Sequence, residues 1–78
     1  MDVDAVTGPS ESFRLFVKET EPRLRHALVA VFGQERGREA VSEAFAFGWE
    51  HWGRVSEMDN PVGYLYRVGR SQTARNRR

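Results

Sequence analysis

The chain contains no cysteine, so it can build neither a disulfide framework nor a thiolate metal site. Its two histidines, His26 and His51, stand at no metal-ligand spacing from each other. No metal and no cofactor are expected. No apolar run approaches the roughly 18 residues of a membrane span, and no signal-peptide pattern opens the sequence. The default expectation is a cytoplasmic protein without membrane contact. Apolar and polar residues nowhere alternate as in a half-buried strand, and no Asn-Gly hairpin pair occurs. No segment repeats another.

The usual settings of catalysis are missing as well. No serine lies in a Gly-x-Ser-x-Gly context. Gly33 and Gly37 flank a turn, but no Lys-Ser/Thr pair follows them as in a phosphate-binding loop. Glu50 and His51 are sequence neighbours on a helical stretch, and such neighbours do not face each other, so they form no dyad. The chain is not expected to be an enzyme.

What remains is one small domain. Its 78 residues can bury only roughly 60–65% of the unfolded surface, which implies a stability of a few kcal/mol. A composition 40% hydrophobic and 29% charged argues for a packed chain rather than wholesale disorder. The net charge of +1 conceals an asymmetry. Residues 1–60 carry seven Lys/Arg and all eleven Asp/Glu, a net −4, whereas residues 61–78 carry five arginines and no acid. A charge split of this kind suggests two partner surfaces on one domain.

The acid-free segment opens with a helix start. Asn60 can accept a bond from a free backbone N–H of the first turn, and Pro61 suits the first helical position. Tyr64 and Tyr66 follow, then Arg67, Arg70, Arg75, Arg77 and Arg78. Rings that stack on bases beside guanidinium groups that meet phosphates make a nucleic-acid surface. The same residues also admit a plainer reading. Arginines late in a helix favour its dipole, and Tyr64, Leu65 and Val68 can be a core face.

The rest of the chain reads as helices in order. Residues 1–10, with Gly8-Pro9, show no period and are expected to be a tail, with Ser10 or Ser12 as the cap that follows. Phe13, Phe16, Val17, Thr20, Leu24, Leu28, Val31 and Phe32 recur at three- and four-residue steps on one helical face. Pro22 interrupts that ladder without shifting its phase, which fits a kinked helix or two stacked ones. Arg14, Lys18, Arg23 and Arg25 lie off the stripe. Gly33 reads as the cap, and 34–37 as a short connection.

A second helix is expected from about Arg36 to Trp52, ended by Gly53. Its apolar stripe is Val41, Ala44, Phe45, Gly48, Trp49 and Trp52. Glu39, Ser42, Glu43, Ala46 and Glu50 lie off it. Phe47 is off it too, which implies either a second neighbouring helix or a partner. A loop over 54–59 then leads to the third helix. The fold class expected is all-α, a compact bundle of three principal helices over residues 11–78.

Three of these stretches together resemble a known family. They are Glu39-Ala40-Val41-Ser42-Glu43-Ala44-Phe45, then Trp49 with Trp52, then Asn60-Pro61-Val62-Gly63-Tyr64-Leu65-Tyr66-Arg67-Val68-Gly69-Arg70. In order and spacing they look like region two of the bacterial extracytoplasmic-function sigma factors, of the sigma-70 family. The opening Phe13 to Leu28 is similar to that family's first helix, so the resemblance covers about residues 12–78.

The resemblance implies a promoter-recognition domain of RNA polymerase, a monomer when alone. By position, Glu39, Ser42, Glu43, Ala46 and Trp49 would meet the clamp-helix coiled coil of the largest subunit of core RNA polymerase. The loop that carries Met58 and Asn60 would receive a flipped base of the minus-ten element. Tyr64, Arg67, Arg70, Ser71 and Arg75 would engage the melted single strand, with Tyr64 as an aromatic wedge. Ser42 departs from the family's usual Gln, Ser71 from its Asn, and Gly69 from its Ala. The family's second domain, which reads the minus-thirty-five element, is absent from this sequence, so an excised domain is expected, with a natural stand-alone domain as the alternative. Two other readings stand beside this one. The chain can be a sigma-like interaction module held by an anti-sigma factor or another regulator. It can also be a helix-turn-helix, ranked last because the loop before Asn60 exceeds the usual turn.

Overall fold

The computed structural model describes residues 8–75, which form four α-helices and no strand. No helix among the described residues is long and apolar enough to cross a membrane. The fold is all-α, with three long helices and one short one.

Helix α1 spans Pro9–Phe32. It begins at Pro9, two residues before the expected start, because a proline fits the first turn where its absent N–H is not needed. Neither Ser10 nor Ser12 caps it. Gly8 is the N-cap without a side-chain bond, and its carbonyl accepts the Ser12 N–H at 3.0 Å. Of the tail expected over residues 1–10, Pro9 and Ser10 are helical instead, and residues 1–7 lie outside the described residues. Helix α1 is not split at Pro22. That ring sits on the solvent side, so the Lys18 carbonyl deprived of its N–H partner can be hydrated.

Gly33 ends α1 and begins α2. Its φ of 91° and ψ of 173° fall in a region essentially reserved for glycine, and its N–H donates to the Val29 carbonyl at 2.8 Å. Helix α2 therefore starts at once and spans Gln34–Glu50. The connection expected over 34–37 shrinks to a single residue. Gly37 is not a turn residue but a buried packing one. A Cβ there would come within 2.7 Å of Val29 Cγ2.

The end of α2 also differs from expectation. His51, at φ −118° and ψ 27°, breaks the helix, and Trp52–Val55 forms the short α3. Gly53 lies exposed inside that turn and does not terminate α2. The break has a clear cause in packing. It lets Trp52 turn inward to Phe13 and Phe16, at ring-centroid distances of 5.1 and 5.0 Å. Trp52 is buried, and Trp49, expected on the same stripe, is left 48% exposed beside Phe13. Val31, also expected in the core, is exposed at the end of α1.

Helix α4 spans Pro61–Arg75. It starts as its sequence predicts: Asn60 Oδ1 accepts the Gly63 N–H at 3.1 Å, and the Asn60 carbonyl accepts that of Tyr64. The core unites Leu24 and Leu28 of α1, Ala40, Val41 and Ala44 of α2, and Leu65 of α4. Helices α2 and α4 meet along a seam of small residues. A Cβ on Gly69 would lie 3.0 Å from Leu28 Cδ1 and 3.2 Å from the Ala40 carbonyl oxygen. Glycine costs a helix up to about 1 kcal/mol relative to alanine, and this close approach is what it permits in return.

Candidate nucleic-acid and protein-docking surfaces

The seam fixes which way α2 and α4 look. Ala40, Ala44 and Gly48 of α2 are buried, and so are Leu65, Gly69 and Thr73 of α4. Each helix thus turns its remaining residues outward, and the two outward faces have opposite chemistry.

On α2, Glu39, Ser42, Ala46 and Trp49 are exposed and follow one another at three- and four-residue steps. All four share one stripe. Glu43 is half-buried at its border. There it lines an open groove with Ser42, Ala46, Phe47, Glu50 and Gln72, the last from α4. Two carboxylates over a floor of Ala46 and Phe47 suit a basic side chain of a partner with an apolar stem. Trp49 borders a second, more apolar groove with Phe13 and Val17 of α1.

On α4, Arg67, Arg70, Ser71 and Arg75 are exposed, and no acid lies on the helix. Tyr64, Arg67, Ser71 and Arg75 step by three, four and four, which places them along one line. Arg70 stands off that line, its Cζ 5.8 Å from the centroid of the half-buried Tyr66 ring. The side-chain ion pairs among the described residues are Glu11–Arg14 and Glu21–Arg25, both in α1 and both 2.8 Å. Glu21 holds the Arg25 guanidinium above its ordinary pKa, by a hydrogen bond and by charge attraction. Two of the four α1 cations that lie off the stripe are therefore partnered within their own helix, and among the described residues no carboxylate pairs with an arginine of α4.

Tyr64 is not a free wedge. It is half-buried, its ring 6.1 Å from Phe47, which in turn stacks on His51 at 4.1 Å. This accounts for Phe47 lying off the apolar stripe of α2: α4 covers it. The two loop residues divide. Met58 is half-buried, and Asn60 is exposed with its Oδ1 engaged in the cap. The cap uses one of the two lone pairs of Oδ1 and leaves the Nδ2 donors free.

The sequence reading missed Arg36. It was placed at the edge of a connection, yet its Nη2 donates to the Thr73 carbonyl of α4 at 3.4 Å. Nothing local signals a contact between residues 37 apart in the chain. No protein-family model, curated protein or solved structure matches this chain.

Proposed function

We propose that the chain is a sigma-type region-two domain. The outward face of α2 docks on the clamp helices of core RNA polymerase, and the outward face of α4 holds the melted strand of a promoter minus-ten element. One observation carries this reading. Two adjoining helices of one small domain expose an acidic, serine- and alanine-lined stripe and an acid-free arginine stripe, at the positions that the family resemblance assigns to protein and to DNA. The chemistry agrees with each assignment. Carboxylates attract basic residues of a coiled coil. Arginines with a tyrosine grip a single strand through phosphate charge and base stacking.

The test is capture of core polymerase, and separately of its clamp-helix fragment, by the wild-type chain and by Glu43→Arg. Binding to both that the charge reversal reduces at least tenfold is the expected result. A folded chain that captures neither would overturn the docking half of the proposal.

A second reading, an interaction module held by an anti-sigma factor or another regulator, draws on the exposed Trp49 and its groove with Phe13 and Val17. It predicts binding to such a regulator with no affinity for single-stranded DNA, even in the presence of polymerase.

A further inference from the structure

Arg36 is in the first turn of α2, where the helix dipole disfavours a cation. It makes no ion pair with Glu39, three residues on; the ion pairs among the described residues are both in α1. Its guanidinium instead reaches α4, next to the Thr73 carbonyl. Thr73 falls between Arg70 and Arg75 and three residues after Arg70, so Arg36 enters the arginine-bearing last turns of α4 from another helix. A guanidinium has five N–H donors, and the Thr73 carbonyl occupies one. Arg36 is only half-buried, which leaves the others open to a ligand. Arg36 and Arg75 both lie at the C-terminal end of α4, and neither has a carboxylate partner among the described residues, which leaves both charges to an anion from outside.

We infer that Arg36 is part of the nucleic-acid surface, a backbone-phosphate contact that α2 contributes at the C-terminal end of α4. This rests on the reading of α4 as a single-strand surface and extends it across the seam. The bond to Thr73 holds the guanidinium in place, so binding fixes little additional side-chain freedom. The arrangement also gives direction to a bound strand. It runs along α4 from the Tyr64 end, where rings gather, to the Arg36 end, where charge gathers.

The experiment measures the binding of the chain to oligo-dT, which requires neither promoter sequence nor polymerase, over a series of salt concentrations. A single strand loses affinity with a log-log slope of about −0.7 for each phosphate neutralised. Arg36→Gln and, for comparison, Arg70→Gln are each expected to make the slope shallower by about 0.7, and Arg36→Lys to leave it near the wild-type value. If Arg36 only ties α2 to α4, Arg36→Gln will lower the melting temperature and leave the slope unchanged, which overturns the inference alone. A wild-type chain that does not bind oligo-dT would overturn both this inference and the single-strand reading of α4.

Discussion

Helices α2 and α4 share one seam and differ in almost everything outside it. Toward the core both offer small residues, Ala40, Ala44 and Gly48 against Gly69, so their backbones approach closely. Away from it, α2 shows carboxylates, a serine and a tryptophan beyond the two arginines of its first turns, Arg36 and Arg38, and α4 shows arginines without an acid. A domain of 78 residues has little surface to spare, and here two chemistries are kept apart by nothing more than the helical period. The lesson is that the seam is what positions both faces. Substitutions in it should affect both proposed contacts, and substitutions on one face only one.

The largest effect is expected where the seam itself is broken. Gly69→Val places a branched side chain against Leu28 and the Ala40 carbonyl, and the carbonyl belongs to a helix backbone that cannot yield. Overpacking of this kind costs about 1–3 kcal/mol, a large part of the few kcal/mol available to so small a domain. Thermal unfolding should show a fall in melting temperature of several degrees or more, with polymerase and oligonucleotide binding lost together. A variant that melts like the wild type would mean that α2 and α4 can separate without consequence.

The next effect should separate the faces. Tyr64 packs on Phe47, so truncation to alanine would disturb stability as well as binding. Tyr64→Leu keeps the bulk and removes the ring. Loss of one stacked base is worth about 1–3 kcal/mol, so affinity for a single strand should fall by about fivefold to a hundredfold while capture of polymerase, if α2 makes it, stays intact. If both fall together in a folded protein, the two surfaces are not independent.

Much of this comparison was legible from residue order. Asn60-Pro61 marked the start of α4 by chemistry that acts within four residues, and the observed cap uses that chemistry. Gly33 was legible for the same reason, since only glycine takes its backbone angles readily. The outward placement of Glu39, Ser42 and Ala46 followed from period alone. What could not be read was decided between helices. Whether Trp49 or Trp52 enters the core depends on where Phe13 and Phe16 stand, and period gives both the same claim. Gly37 has the local sequence of a turn, and only the approach of Val29 from α1 makes it a packing residue. Arg36 had no signal at all, because its partner is a backbone carbonyl on another helix.

The smallest effect is a gain. Ser42 is exposed in the middle of the α2 stripe, and the family that this chain resembles usually has Gln there. A serine hydroxyl reaches barely beyond the helix backbone, whereas a glutamine amide carries its donors and acceptor two carbon atoms farther out. Ser42→Gln touches no buried atom, and Gln is the better helix former by a few tenths of a kcal/mol, so the fold should be unharmed. One added hydrogen bond to a partner is worth about 0.5–1.5 kcal/mol. The variant should therefore bind the clamp-helix fragment about two- to tenfold more tightly, with its affinity for single-stranded DNA unchanged. Weaker binding to the fragment would mean that the α2 stripe needs a small residue at its centre. The partner would then approach the helix backbone too closely for a clamp contact through a long arm, and the acidic face would have to be assigned to a different protein.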